Sequence, residues 1–263
     1  MTQTPRPPDR ILGSATQALR DRGPRCLVLG RKRGRERRRV TCKQRRANEV
    51  RSMFESAELG HETSKREYER KLPALREKLL DAQYELLQQK RSGTVILIGG
   101  VDGAGKGETV NLLNEWMDPR HIQTHAMSVA TDEERAHPRF WRFWRALPPK
   151  GKIGMFFGSW YTEPIIRRTY GETDNAELDQ SMEEIVHFEQ MLADEGVLLV
   201  KLWFHLSKKQ QKKRLATLMK DEKSAWRVTD TDWKHFALYD KFRKVSERAL
   251  RQTSTANAPW QII

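Results

Sequence analysis

One short stretch limits what this chain can fold into more than any other. The apolar run Thr94-Val-Ile-Leu-Ile98 leads into Gly99-Gly100-Val-Asp-Gly-Ala-Gly105-Lys106-Gly-Glu-Thr109. A run of aliphatic residues closed by two glycines reads as a buried strand. The spacing G-x-x-x-x-G-K then opens a predicted helix from about 107 to 116, which Asp118-Pro119 stops. Strand, glycine loop, lysine and helix in that order let loop amides point inward and cradle phosphate oxygens. The helix N-terminus adds its dipole and the lysine its charge. Gly103, Ala104, Gly105, Lys106, Gly107, Glu108 and Thr109 are therefore the expected phosphate-binding residues. Gly107 stands where such loops usually carry the magnesium-holding Ser or Thr, with Thr109 two positions on. Asp102, inside the loop, is the alternative metal ligand, because magnesium prefers carboxylate and phosphate oxygens.

The rest of the chain alternates strand and helix patterns. Before the loop, residues 63–90 show helical spacing of Tyr68, Leu72, Leu75, Leu79 and Tyr84 among charges, with Thr63 as N-cap and Pro73 expected to break or kink the helix. Further strands are expected at 125–129, 153–157, 197–204 and 260–263, with helices over 133–145, 178–192, 208–220 and about 232–253. Residues 163–173 are Arg-rich and irregular in pattern, which suits a lid. This alternation implies an α/β fold: a five-stranded parallel sheet with helices on both faces and right-handed crossovers.

Charge is unevenly placed. Residues 1–52 hold 16 Lys+Arg and 4 Asp+Glu, so +12 of the chain's formal +14 lies there and the remaining 211 residues are nearly neutral. The overall basicity is thus no argument for nucleic acid as the partner of the folded part. Residues 1–52 read as a disordered basic segment, because the run from Arg31 to Arg39 is too self-repelling to build a core. A nucleic-acid tail, a targeting peptide and upstream sequence outside the natural protein compete to explain it; the last is preferred, with Met53 as an internal start. Both cysteines, Cys26 and Cys42, fall in this segment, so the remainder has neither a disulfide framework nor a Cys-ligated zinc site. No apolar run approaches the roughly 20 residues of a membrane span. A cytoplasmic location is the default expectation.

The motifs after the loop occur in a recognisable order. They are Asp118-Pro119-Arg120, Thr131-Asp132-Glu133-Glu134-Arg135, Leu147-Pro148, Ser159-Trp160-Tyr161, Phe188-Glu189-Gln190-Met191-Leu192, Trp226-Arg227-Val228, Thr253-Ser254-Thr255 and Ala258-Pro259-Trp260. Together with the G-x-D-x-A-G-K-G loop they resemble the polyphosphate kinase 2 family over about residues 60–263. The wording of the loop and of Phe156-Phe157-Gly158-Ser159-Trp160-Tyr161 looks most like the amino-terminal half of the two-domain polyphosphate:AMP phosphotransferases, and Met53-Phe-Glu-Ser-Ala-Glu-Leu-Gly-His61 resembles their start. The resemblance implies a P-loop kinase fold with an N-terminal helical extension over 53–92, a domain over 93–263 that stops short at its C-terminus, and a helical lid. It implies phosphoryl transfer between inorganic polyphosphate and a nucleotide, AMP to ADP, with Mg2+. It also implies a homo-oligomer or a second fused domain of the same family as partner, with neither membrane nor nucleic acid involved. Carried over by position, Asp102 would hold magnesium, Lys106 would bind phosphate, Arg142 would reach phosphate from the helix before Leu147-Pro148, and Arg168 would act from the lid.

The chain departs from the family at one place that matters. Phe157-Gly158 stands where active members have Asp-Arg before Ser-Trp-Tyr, the Asp being the metal and general-base carboxylate. Thr162-Glu163 replaces the Asn-Arg that usually follows, and Arg167 replaces a lid Glu. Phe157 cannot coordinate magnesium. Such a site keeps its loop for binding phosphate and loses part of the machinery for turnover. The alternative function is therefore a catalytically degenerate phosphate-binding domain that supports an active partner.

Other signals carry less. The seven histidines show no metal spacing and read as ordinary surface or core residues. Lys208, Lys209, Lys212, Lys213 and Arg214 form a basic cluster that reads as a solvated helix face before it reads as a polyphosphate track. Core packing is the default for the tryptophans at 141, 144, 160, 203, 226 and 233, ahead of stacking on an adenine.

Overall fold

The computed structural model describes residues 52–60, 62–220 and 222–263. The expectation for residues 1–52 lies outside these, apart from Ser52. Five strands form one parallel sheet in the order β2-β3-β1-β4-β5: β1 is Thr94–Gly100, β2 Ile122–Ala126, β3 Ile153–Phe157, β4 Leu198–Phe204 and β5 Trp260–Ile262. The central strand alternates faces, as a strand must. Val95 and Leu97 enter one core with Phe156, Trp160, Phe188 and Trp203, while Ile96 and Ile98 enter the other with Val110, Met117 and Met155. Both faces are thus buried, which is why the strand reads as a continuous apolar run.

The helices differ from the pattern where local chemistry overrides it. α1 is the single turn Glu55–Glu58, and α2 runs Lys65–Gln89. Its N-cap is Ser64, whose Oγ accepts from the Glu67 amide at 3.3 Å, rather than Thr63. It continues through Pro73 without a break. Pro73 and Glu69 are exposed, so water can take the carbonyl that loses its amide partner. α3 is Lys106–Trp116, and a one-turn 3-10 segment, Pro119–His121, feeds β2 directly, so that strand starts and ends three residues before its expected position. The helix expected over 133–145 is two, α4 (Asp132–Arg135) and α5 (Trp141–Ala146), interrupted at Pro138. The segment read as irregular is a regular helix, α6 (Thr162–Tyr170). Pro164 sits in its first turn, where no amide partner is lost, and Arg167 and Arg168 complement the dipole in its last. α7 is Asn175–Asp194 and α8 Lys208–Lys220. The final helical stretch divides at Leu238 into α9 (Asp230–Ala237) and α10 (Tyr239–Thr253). No helix among the described residues is long and apolar enough to cross a membrane.

A buried polar cluster ties one face together. Lys201, on β4, is fully buried. Its Nζ donates to Glu189 Oε2 on α7 at 2.7 Å, to the Thr253 carbonyl at the end of α10 at 2.8 Å, and to the Tyr161 hydroxyl at 3.1 Å. Glu189 Oε1 also accepts from Tyr161 Oη at 2.7 Å and Trp160 Nε1 at 3.0 Å. Burial pushes the Lys201 ammonium below its ordinary pKa, opposed by the Glu189 charge. Removing the carboxylate would strand a cation in the core, so Glu189→Ala is expected to lower stability by about 3–5 kcal/mol. Urea denaturation checks this; an unmoved midpoint contradicts it.

Candidate functional site

The sheet order places the loop of β1 beside the loop of β3 at the carboxyl edge, where the crossovers change direction and open α/β sheets bind ligands. β1 ends at Gly100 because nothing larger fits: with φ +135°, a Cβ there would lie 2.1 Å from the Phe204 carbonyl oxygen. The chain crosses that close contact, donates Val101 N–H to the same oxygen at 3.0 Å, and turns into the loop. α3 then starts at Lys106.

Lys106 folds back over the loop. Its Nζ donates to the Gly100 carbonyl at 2.8 Å, to the Val101 carbonyl at 3.0 Å, and lies 3.4 Å from Asp102 Oδ1. The other Asp102 oxygen is 2.8 Å from His235 Nδ1 on α9. Gln211, buried on α8, donates to the Asp102 carbonyl at 3.0 Å. Burial pushes the Asp102 carboxyl up, but the His235 hydrogen bond and the Lys106 charge outweigh it and hold it below the ordinary carboxylate value. The Asp102 hydrogen bond in turn holds His235 above its usual value against burial.

A cavity of about 910 Å³ opens from this loop towards α4, α5 and α6. Asp102, Lys106 and Arg142 line it. Arg142, on α5, donates to the Ser128 carbonyl at 3.1 Å and faces Glu134 at 3.4 Å. Arg135, Arg139 and Arg167 add further cations. Arg168 is elsewhere: its Nε donates to Asn175 Oδ1 at 2.8 Å and it is not among the lining residues. Of the expected phosphate-binding residues, Gly103, Ala104, Gly105 and Gly107 offer backbone only. The Thr109 hydroxyl donates to the Gly105 carbonyl at 3.1 Å, and Glu108 faces Arg214 and Arg227, each at 3.3 Å. Lys208, Lys209, Lys212, Lys213 and Arg214 are exposed and outside the cavity wall, which agrees with a solvated face. Trp160 and Trp203 are core residues, whereas Trp226 is 74% exposed.

Sequence reasoning missed His235. No metal spacing marked it, and only the fold brings α9 against the loop. Arg139 was missed as well, since it reads as one more charge on a helix surface.

The residues present do not fit a magnesium site built by the protein. Among the described residues, no cluster of three or more His, Cys, Asp or Glu could hold a metal. Both Asp102 oxygens are engaged, one facing Lys106 Nζ and the other the His235 ring. At the end of β3, Phe157 lines the cavity and has no ligating atom on its side chain. Gly158 has φ +81°, and a Cβ there would meet the Met127 carbonyl oxygen at 2.8 Å. An arginine at 158 would require the backbone of the β2–α4 connection to move. Gly158→Ala is therefore expected to cost on the order of 1–3 kcal/mol, from the left-handed backbone and the close contact together. Chemical denaturation reads it, and a stability equal to wild type would mean that the turn relaxes freely.

Comparison with known proteins follows the same lines. Residues 62–263 match the family model described as Polyphosphate kinase 2. Over 211 residues the chain is 53% identical to the Polyphosphate:AMP phosphotransferase of Pseudomonas aeruginosa and 51% identical to that of Pseudomonas syringae pv. tomato, in each case across 80% of this chain and 42% of the relative. The chain thus spans about two fifths of the length of these curated relatives. The crystal structure of Polyphosphate Kinase 2 from Arthrobacter aurescens TC1 superposes with a TM-score of 0.74 at 31% identity, covering 78% of this chain and 74% of that one.

Proposed function

The chain belongs to the polyphosphate kinase 2 family, and from that premise we propose that it binds inorganic polyphosphate at the 100–106 loop and takes part in phosphoryl transfer to AMP, forming ADP. One observation carries the proposal: Lys106, at the N-terminus of α3, lines the same cavity as Arg142 of α5. A phosphate entering there would meet the loop amides and the helix dipole. Lys106 would exchange its two carbonyl partners for phosphate oxygens, and Arg142 would add a second neutralising charge. Catalysis of phosphoryl transfer is largely positioning and charge neutralisation, and these groups supply both. Arg168 would join them only by leaving Asn175. Magnesium, which the family resemblance implies, finds no protein-built site among the described residues, and no step is assigned to it. The setting is cytoplasmic, and a second domain of the family, fused or as another copy, is the partner.

A second reading rests on Phe157 and Gly158. Without a carboxylate at the end of β3, the domain binds phosphates and turns over weakly by itself, supporting an active partner. Two measurements separate these readings from each other and from error. Lys106→Ala is expected to weaken polyphosphate binding by about tenfold or more, since a half-buried phosphate loses its cation; unchanged affinity in titration calorimetry refutes the role of the loop. Purified chain given AMP and polyphosphate is expected to form ADP well below the roughly 1–100 s⁻¹ of kinases. Phe157→Asp, which leaves Gly158 in place, is expected to raise that rate. Full turnover by the unaltered chain would show that the missing carboxylate is not needed.

A further inference from the structure

The carboxylates around the cavity are all engaged. Asp102 stands between Lys106 and His235. Glu134 lies 3.4 Å from Arg142 Nε and accepts the Thr131 amide at 2.9 Å. Glu163 faces Arg167 at 4.0 Å. Against these three carboxylates the lining holds five cations, Lys106, Arg135, Arg139, Arg142 and Arg167. Arg139 also pairs with Glu184 at 2.8 Å, Arg167 with Glu172 at 3.5 Å, and Arg135 with Asp132, which leaves Lys106 and Arg142 as the cations whose carboxylate partners all belong to the wall. One Arg139 guanidinium nitrogen, Nη2, is enclosed and has no hydrogen-bond partner. The amino end of α3 adds partial positive charge at the loop. Phe157 presents a ring where a second oxygen ligand would be required, and Gly158 cannot be replaced without displacing Met127.

We propose that this site takes up a phosphate polyanion without magnesium, the work of neutralisation being done by its own lysine, arginines and loop amides. The inference rests on the phosphate-binding reading above and goes beyond it in the charge state of the ligand: the bare polyanion, not its metal complex, is what the cavity fits. Magnesium needs oxygen ligands in near-octahedral array and gives up water reluctantly. To reach Asp102 it would have to separate that carboxylate from His235 or Lys106, and it would find no second carboxylate at the end of β3. In solution magnesium also covers phosphate charge, so the complex offers less to Lys106 and Arg142 than the free anion does. Asp102 then acts as a negative group that holds Lys106 over the loop until phosphate takes its place, and its removal should help the anion.

Calorimetric titration of the full chain with inorganic tripolyphosphate, at fixed ionic strength, tests this in three arms. With a chelator present and with millimolar magnesium present, the affinity is expected to be equal, or lower with magnesium. Tightening by about tenfold with magnesium, equivalent to about 1.4 kcal/mol, overturns the proposal while leaving the loop as a phosphate site. Binding in neither condition overturns the phosphate-binding reading and this inference with it. Asp102→Asn keeps the size and hydrogen-bonding capacity of the side chain. It is expected to bind tripolyphosphate as tightly as wild type or up to about tenfold tighter, through loss of a like charge. If that variant loses binding only when magnesium is present, Asp102 is a metal ligand and the proposal is wrong. The two wild-type arms decide the matter independently of how the variant folds.

Discussion

The ion pair between Lys201 and Glu189 fixes the geometry on which the functional edge depends. A lysine with no exposure in a central strand is tolerable only when each of its protons has an acceptor, and here the carboxylate, a helix-end carbonyl and a tyrosine hydroxyl provide them. Those acceptors come from α7, from the last turn of α10, and from the turn that follows β3. Trp260 extends the same cluster, its Nε1 donating to the Thr253 hydroxyl at 3.0 Å. The chain after β3 is therefore held by Lys201, Glu189 and Thr253, which stand outside the cavity wall, while Trp160, Tyr161 and Trp260 of the same cluster line it. Several separate sequence motifs, Ser159-Trp160-Tyr161, Phe188-Glu189, Thr253 and Trp260, meet in this one cluster. Their order along the chain is a record of one buried interaction.

The same face anchors the segment before α2. Phe54 is fully buried and stacks on His205 at 4.3 Å, while Glu58 bonds the His205 ring at 2.8 Å. Glu247, on α10, accepts from Ser52 Oγ and from the Met53 amide, each at 2.9 Å. Burial lowers the His205 pKa, with Glu58 opposing. The segment at 52–58 thus packs against the strand whose end, at Phe204, receives the close approach of Gly100. What stands at the start of the helical pattern is bound into the sheet's core rather than standing off it.

Much of this fold was legible because apolar spacing and glycines report directly on backbone geometry. The 94–106 stretch could be assigned to strand, loop and helix from its residues alone. The errors occurred where a single residue competes with a pattern. Pro138 divides a charged helix that periodicity joins, Leu238 divides another, and Pro73 fails to divide a helix whose proline faces water. α6 was hidden by its arginines, which suggest a mobile segment by composition but line the last turn of an ordinary amphipathic helix. Of the site, the loop was legible from its own spacing, whereas Arg142 came only from the family resemblance. His235 was not, because its partner lies 133 residues away and one histidine near a helix end carries no spacing to read. The position of Arg168 was equally beyond reach, since two adjacent arginines on a helix point about 100° apart and only packing decides which one faces the cavity.

The degenerate position also has a structural logic of its own. A carboxylate at 157 beside Asp102 would place two like charges at one strand edge, which is affordable only when a metal or a phosphate-bound cation lies between them. With phenylalanine there, Asp102 meets no competing anion from β3 and settles between Lys106 and His235. In this arrangement Lys106 is paired with Asp102, the two carbonyls at the end of β1 have a donor, and α9 is tied to the loop through its histidine. Phenylalanine at 157 and a loop whose charges pair among themselves thus go together. The left-handed glycine at 158 follows from the same turn, for an arginine could stand there only in a different backbone path past Met127. The resting loop is thus charge-balanced within the protein, with Asp102 between Lys106 and His235.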